Sequence, residues 1–235
     1  MSAIFSFAYP DCIQVLTDGA WVSETGELMR VKTKSFASSR HPIAFTGRGT
    51  SSVQVMNIID ELLAFAESEK CAGVDAALGF AEAYFERMAK GGPFNGEIVI
   101  AAYSETKGTV HFVVACHDHY GLAAPFRLEN PAAQILLGPT ISLDDFPPGA
   151  FSPEDVASSN FPARHGAMIM EALRRKPARI IGWEREFFAV GGLCDLTTVN
   201  AAGADVRPLC GWADEVGKTI DPNAPRIYEG FTYAK

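Results

Sequence analysis

The sequence predicts an α+β protein in which antiparallel strands form sheets and helices pack outside them. Three observations lead to this class. Short apolar segments separated by turn residues fill the first fifty positions, two segments with a 3.6-residue apolar rhythm follow, and strand-like segments return from residue 97. Runs of strands separated by groups of helices are typical of two sheets with helices on their outer faces.

The first half of the chain contains five predicted strands and two predicted helices. The strands cover residues 4–7, 12–17, 21–22, 28–36 and 42–46, with a hairpin turn at 24–27. The helices run from about 53 to 66 and from about 74 to 89. Thr50, Ser51 or Ser52 can cap the first helix, and Gly91-Gly92-Pro93 ends the second.

The second half returns to strands and adds one more helix. Residues 97–104 and 109–116 form a predicted hairpin, and 133–138 forms a further strand. The Pro- and Asp-rich stretch 139–162 is predicted to be a surface loop. A third helix covers 163–175 and stops before Pro177, and a last hairpin pairs 187–199 with 204–212. The chain after Asp221 reads as loop.

Length, charge and cysteine content limit the classes of function. With 235 residues we expect a single domain, with its core at about 2–212 and a C-terminal tail at about 213–235. A net charge of −8 and scattered Lys and Arg argue against nucleic-acid binding. No apolar run is long enough to cross a membrane, and the start lacks the basic residues of a signal peptide. The five widely spaced cysteines are typical of reduced thiols, so we expect a cytoplasmic protein.

The N-terminus carries the strongest chemical signal. If Met1 is removed, the chain begins with Ser2, whose hydroxyl can act as nucleophile while its own α-amine acts as base. Asp18 follows sixteen residues after Ser2, and Lys34 follows sixteen residues after Asp18. This spacing places a hydroxyl, a carboxylate and an amine at the ends of successive short strands.

The order of these residues resembles the proteasome β-subunit and the related peptidase subunit of a bacterial ATP-dependent protease, both N-terminal-nucleophile hydrolases. Ser2-Ala3-Ile4-Phe5-Ser6 lies where that family begins with Thr-Thr-hydrophobic, and Asp18-Gly19 and Lys34 lie at its Asp and Lys positions. The segments 43–49, 96–104 and 191–199 are similar to its glycine turn before the first long helix, its central strand and its late Gly-Gly strand. The resemblance covers about residues 2–212.

The resemblance implies a four-layer αββα sandwich and a role for each residue of the site. Ser2 would replace the usual threonine as nucleophile, Lys34 would lower the pKa of its hydroxyl, and Asp18 would keep Lys34 charged and in place. The backbone N–H of Gly47 would point into an oxyanion hole. The family also implies amide or peptide hydrolysis without metal or organic cofactor and self-association into rings, and it leaves any unfoldase partner undefined.

The chain departs from the family at its supporting residues. Pro139 follows Gly138 where the family has a serine, and Phe187 and Val190 stand where it has an Asp and a Ser before the late Gly-Gly. These apolar residues favour a second hypothesis, a catalytically silent proteasome-like structural or assembly subunit. A small-molecule binding module on the same scaffold is a third.

Other motifs give weaker signals. Cys116-His117-Asp118-His119 contains zinc-binding residue types, but neighbouring strand residues point to opposite faces, so at most two of the four can converge. Gly211 to Thr219 imitates a phosphate loop with one residue too many and with Asp221-Pro222 where a helix should follow. The run Arg174-Arg175-Lys176 is interpreted as a partner of a helix dipole. Trp183 and Trp212 are expected in the core or at a subunit interface.

Overall fold

The computed structural model describes residues 2–118, 125–131, 134–179 and 185–228. It shows a mixed α and β protein whose strands pair antiparallel in every sheet, as the sequence predicted. Met1, His119, Ala133, Trp183 and the last seven residues lie outside the described part of the chain.

Fourteen strands and four α-helices are present in the described residues. The strands are β1 Ile4–Ala8, β2 Cys12–Asp18, β3 Ala20–Val22, β4 Leu28–Val31, β5 Ser35–Ala37, β6 Ile43–Gly49, β7 Gly96–Ser104, β8 Gly108–Ala115, β9 Gln134–Leu137, β10 Ala178–Arg179, β11 Glu186–Phe187, β12 Leu193–Asn200, β13 Gly203–Trp212 and β14 Arg226–Ile227. The helices are α1 Ser52–Ala66, α2 Val74–Met88, α3 Pro153–Ala157 and α4 Phe161–Arg174.

Two larger sheets and two small ribbons organise these strands. The six-stranded sheet has the order β14-β13-β12-β2-β1-β9, and the four-stranded sheet has the order β5-β6-β7-β8. The ribbons are β3-β4 and β10-β11. Because β1 and β2 pair from Ile4↔Thr17 to Ala8↔Ile13, the residues just before β1 lie beside the end of β2. That register brings the N-terminus to Asp18.

Helices α1 and α2 cover one face of the four-stranded sheet. Ser51 caps α1 by accepting a hydrogen bond from the backbone N–H of Gln54 at 3.3 Å. The apolar stripe of α1 is buried with Phe45 and Ile98 of the sheet, as expected for a helix whose apolar residues recur every 3.6 positions. The side chain of Glu105 accepts hydrogen bonds from the first N–H groups of α2, which ties the β7–β8 turn to that helix.

Helix α4 packs on the six-stranded sheet, and the two larger sheets pack against each other. Ile169, Met170 and Leu173 of α4 share a buried cluster with Leu16 and Leu196 of the sheet. A separate buried cluster contains residues of both larger sheets: Ile4, Ile13, Val15, Ile135 and Val199 from the six-stranded sheet and Ala44, Val99 and Ala101 from the four-stranded sheet. These three apolar contacts set the two sheets and their helices in place.

The predicted strand 28–36 is wrong as one element. Its residues form two strands separated by residues 32–34. The first, β4, pairs with β3 in a ribbon, and the second, β5, lies at the edge of the four-stranded sheet. In the gap, the backbone N–H of Lys32 donates to Gly19 O at 3.0 Å, and the Thr33 hydroxyl and backbone N–H of Ser35 interact locally. The break exists because the Lys34 side chain turns into the interior, where Asp18 pairs with it.

Three other boundaries differ from the prediction. Residues 186–187 pair with 178–179 instead of extending β12, which begins at Leu193 after the Gly191-Gly192 turn. The predicted loop 139–162 contains α3, capped by Ser152, and the start of α4. The predicted loop after Asp221 contains β14, which pairs with Gly211 and Trp212. Strand pairing decided the first and the third of these boundaries, whereas α3 is capped locally by Ser152 and Asp155.

Within the described ranges, no helix combines the length and the apolar character that crossing a membrane requires.

Candidate functional site

The first turn of the chain places Ser2 beside Asp18. The backbone N–H of Ala3 donates to Asp18 Oδ1 at 2.9 Å, and the backbone N–H of Asp18 donates to Ala3 O at 3.3 Å. These bonds continue the β1–β2 ladder by one residue and use the Asp18 side chain as well as its backbone. Ser2 is 6% exposed and Asp18 is fully buried.

Lys34 joins the two groups. Its Nζ donates to Ser2 Oγ at 2.6 Å and lies 3.2 and 3.1 Å from the two carboxylate oxygens of Asp18. It also donates to the backbone oxygen of Ala20. The predicted residues Ser2, Asp18 and Lys34 therefore meet in one buried cluster, and a cation lies within hydrogen-bond distance of the Ser2 hydroxyl.

The backbone around Asp18 supports its negative charge. Besides Ala3, the N–H of Ala20 donates to Asp18 Oδ2 at 3.0 Å and the N–H of Gly191 approaches the same oxygen at 3.4 Å. The carboxylate thus accepts from three backbone groups as well as from Lys34. These bonds hold it where it can bind the ammonium.

Two opposing effects act on Lys34. Burial lowers the pKa of its ammonium below the ordinary value of 10.5, while the carboxylates of Asp18 and Asp195 raise it. Asp195 is fully buried on β12, where it pairs in register with Thr17. The pKa of Lys34 therefore lies below that of a solvated lysine, and the neighbouring carboxylates favour its charged form.

Gly47 lies in the wall of a pocket that opens onto this cluster. The pocket has a volume of about 490 Å³, and its lining includes Ser2, Lys34 and Gly47 together with Trp21 and Met56. A Cβ at residue 47 would lie 2.7 Å from Ile98 Cδ1 and 2.9 Å from Glu97 O, so only glycine fits without displacement. Three of the four residues predicted for the site, Ser2, Lys34 and Gly47, thus border the same cavity, and the fully buried Asp18 lies behind Lys34.

A second buried ion pair lies behind Ser2, and sequence reasoning missed it. Arg48 Nε and Nη2 bind the two carboxylate oxygens of Glu97 at 3.0 and 3.2 Å, and Arg48 Nη1 donates to Ser2 O at 3.3 Å. His117 Nε2 lies 3.1 Å from Glu97 Oε1. The local sequence gave no signal for these contacts, because they depend on the strand register that places Arg48 opposite Glu97.

Arg174, interpreted from the sequence as part of a helix-dipole partner, lies in the last turn of α4 and also forms a buried ion pair that the sequence did not indicate. Arg174 is fully buried, and its guanidinium binds Asp214 through Nη1 at 2.7 Å and through Nη2 at 2.5 Å. Asp214 Oδ2 also accepts from the N–H of Gly192 at 2.7 Å. This pair fixes the Gly191-Gly192 turn that contacts Asp18, so the basic end of α4 supports the site from inside. Its neighbour Arg175 is exposed and pairs with Glu171 four residues earlier.

The positions at which the sequence departs from the family it resembles are apolar. Val190 is fully buried, and its backbone oxygen accepts from Arg174 Nη1 at 3.2 Å. A Cβ added to Gly138 would lie 3.5 Å from Ala3 Cα, which places the Gly138-Pro139 step next to the N-terminal segment. Phe187 lies in β11, against the Gly26 turn. These side chains supply no polar group to Ser2.

The remaining motifs do not form sites of their own in the described ranges. His117 binds Glu97, Cys116 is fully buried, and no group of three or more potential metal ligands occurs among the residues that the structure describes. Gly211 belongs to β13 and pairs with Ile227, so it does not open a phosphate loop. Trp212 is 4% exposed in the core beneath α4, with the Arg174 guanidinium 5.2 Å from its ring.

No protein-family model matches this chain, and no curated protein matches it significantly.

Proposed function

We propose that the protein is a proteasome-like N-terminal-nucleophile amide hydrolase that uses Ser2 after removal of Met1. The observation that carries the proposal is the 2.6 Å hydrogen bond from the buried Lys34 ammonium to Ser2 Oγ, with Asp18 behind it. A cation bound to a hydroxyl stabilises its alkoxide and lowers its pKa. A solvated lysine or a simple turn aspartate would not be buried in this arrangement.

The proposed reaction follows from the positions of these groups. Ser2 Oγ attacks the carbonyl carbon of an amide or peptide, and the free α-amine of Ser2 takes the hydroxyl proton. The oxyanion accepts a hydrogen bond from the N–H of Gly47, and the protonated α-amine gives its proton to the leaving amine. Water then attacks the ester formed on Ser2, releasing the acid and restoring the hydroxyl. The pocket at Ser2 provides room for the substrate.

The apolar clusters support the finer fold assignment, a four-layer αββα sandwich. Helices α1 and α2 pack on the four-stranded sheet, this sheet packs on the six-stranded sheet, and α4 packs on the opposite face of the latter. By the family resemblance we also propose a single domain, assembly into a homo-oligomeric ring, and a cytoplasmic location. The mass of the purified protein in solution, measured by light scattering, tests the assembly directly.

The reactivity of Ser2 tests the proposed chemistry. The chain is produced with Ser2 as its first residue by cleavage of an N-terminal fusion, and its intact mass is measured with and without a β-lactone electrophile. We expect one adduct, located on Ser2 by peptide mapping, and no adduct in Ser2→Ala or Lys34→Met. Thr219→Ala removes an exposed hydroxyl and serves as the matched control that still reacts.

Absence of an adduct on a folded chain that begins with Ser2 would reject the hydrolase. Equal labelling of Lys34→Met would reject the role of the ammonium.

The second candidate is a catalytically silent proteasome-like subunit with a structural or assembly role. The fully buried Val190 and the Gly138-Pro139 step favour it, because a site whose neighbours are apolar lacks polar groups to orient the amine. This candidate predicts a defined oligomer, no adduct on Ser2, and an oligomer mass that is unchanged by Ser2→Ala. A single adduct on Ser2 excludes it.

A further inference from the structure

We infer that Arg48 is a positioning residue for the nucleophile: it holds the carbonyl of Ser2 and is itself held by Glu97, whose carboxylate His117 restrains. The inference rests on the proposed function of Ser2 and adds to it a residue for which the family resemblance provides no counterpart. It accounts for a buried ion pair between two strands, directly behind the site, that the proposed chemistry does not use.

The first step of the argument is the rigidity of the Arg48 guanidinium. Arg48 is 8% exposed and Glu97 is 3% exposed, and the two are register partners on β6 and β7. Nε and Nη2 both bind the carboxylate, at 3.0 and 3.2 Å, and this two-point contact fixes the plane of the guanidinium. His117 Nε2, 3.1 Å from Glu97 Oε1, restrains the carboxylate in turn.

The second step is the direction of the third nitrogen. With Nε and Nη2 on Glu97, Nη1 faces the N-terminus and donates to Ser2 O at 3.3 Å. On the other side of the same peptide unit, the N–H of Ala3 donates to Asp18 Oδ1 at 2.9 Å. Both polar groups of the Ser2–Ala3 peptide unit, its C=O and its N–H, are therefore hydrogen-bonded to buried side chains.

The third step is the effect of these two hydrogen bonds on a residue at the end of the chain. Once Met1 is gone, only the bond from Cα to the carbonyl connects Ser2 to the fold, and rotation about it would swing the amine and the hydroxyl together. Fixing the peptide plane fixes the axis of this rotation, so the amine and Cβ of Ser2 can move only around that axis. The hydrogen bond from Lys34 Nζ to Ser2 Oγ then selects the position of the hydroxyl. A nucleophile displaced by about 1 Å loses roughly 100-fold in rate, so this restriction matters for the chemistry.

The test compares Arg48→Gln with wild type on two readouts, using chains that begin with Ser2. The first readout is β-lactone labelling, separated into the maximal rate and the half-saturating concentration. The second is periodate oxidation of the free N-terminal serine, in which the Cα–Cβ bond breaks, formaldehyde and ammonia leave, an aldehyde remains on the chain and periodate is reduced to iodate. Oxidation requires neither Lys34 nor Gly47, so it reports the freedom of the Ser2 amine and hydroxyl even in a protein without activity.

We expect Arg48→Gln to lower the maximal labelling rate by about 10- to 100-fold with the half-saturating concentration nearly unchanged, and to speed periodate oxidation. Arg48→Lys should recover only part of the rate, because an ammonium cannot bind both oxygens of Glu97 and reach Ser2 O. Arg127→Gln, which removes an exposed arginine, is the matched control and should match wild type in both readouts.

The outcomes separate this inference from the proposed function. Unchanged labelling and oxidation in folded Arg48→Gln would overturn the inference and leave the hydrolase standing. Slower labelling without faster oxidation would also overturn it, since Arg48 would then act in the chemistry and not in positioning. If wild type is never labelled, the hydrolase fails and oxidation alone decides: faster oxidation of Arg48→Gln supports the inference, and equal oxidation rejects it.

Loss of folding is controlled by a second variant. Arg48→Gln leaves Glu97 buried without its ion-pair partner, a change that can unfold a protein. The double variant Arg48→Gln/Glu97→Gln removes both charges and retains amides that can bind each other. It is judged by the same two readouts if circular dichroism shows that the single variant is unfolded.

Discussion

Replacing Lys34 by methionine tests the buried cluster more directly than any other single change. Methionine keeps an unbranched apolar side chain of similar length and removes the ammonium. Lys34 is 5% exposed and Asp18 is fully buried, so the variant leaves a carboxylate in the interior without its ion-pair partner. Breaking a buried pair in this way costs about 3–5 kcal/mol.

The contacts of Asp18 place the expected cost at the lower end of that range. Its carboxylate keeps the backbone N–H groups of Ala3 at 2.9 Å and Ala20 at 3.0 Å, with that of Gly191 at 3.4 Å. These donors continue to solvate the charge after Lys34 has lost its ammonium. We therefore expect Lys34→Met to lower the free energy of unfolding by about 3 kcal/mol, about a third of the stability of a typical domain.

Urea unfolding at neutral pH, followed by circular dichroism, measures this change. Lys218→Met is the matched control, because Lys218 is exposed and pairs with the exposed Glu215, so it should change stability by less than about 0.5 kcal/mol. The double variant Lys34→Met/Asp18→Asn removes the uncompensated charge and should recover part of the loss. A loss in Lys34→Met no larger than that in Lys218→Met would refute the buried ion pair.

Three further results are expected. Arg174→Met should lower the free energy of unfolding by about 3–5 kcal/mol, because it leaves Asp214 buried and unpaired, whereas the exposed Arg175→Met should be nearly neutral; urea unfolding measures both. Burial raises the pKa of the Cys116 thiol from 9.0 to about 12, so its contribution to stability is complete below pH 9.0 and is lost as the pH rises towards 12. The free energy of unfolding should therefore decline over this pH range, and Cys116→Ala should remove up to about 1.4 kcal/mol of the decline per pH unit. The rate of Ser2 labelling should rise with pH as the α-amine loses its proton, ordinarily near pH 7.7–8.0. As the pH rises further the rate should fall, and this fall should begin before pH 10.5 because burial lowers the pKa of Lys34. A rate that stays constant up to pH 10.5 would contradict the role of a charged Lys34.

Local pattern was sufficient for most helices and hairpins. The apolar rhythm of α1 and α2 and the turns at 24–27 and 200–203 predicted elements that the structure contains. One failure came where an element depends on a distant partner. The stretch 28–36 alternates like one strand, yet it divides because Lys34 is drawn inward by a carboxylate sixteen residues earlier.

The candidate site divides in the same way. Ser2, Asp18 and Lys34 were predicted from their order and spacing, and the structure brings them into contact. Arg48, Glu97, Arg174 and Asp214 were missed, since arginine and carboxylate residues are ordinarily exposed and nothing in their neighbourhoods marks them as buried. Their burial requires partners that are 49 and 40 residues away.

The sequence by itself determined the α+β class, the apolar faces of the helices and the presence of a hydroxyl, a carboxylate and an amine at regular intervals near the N-terminus. The apolar faces depend on residues within one or two helical turns of each other, and the sixteen-residue intervals are read directly from the order of the residues. Only the tertiary structure decided that the three groups touch, that Gly47 borders their pocket, and that two buried arginines support them from behind. The reason is energetic: a charged side chain is stable in the interior only next to a specific partner, and strand register determines which residue that partner is.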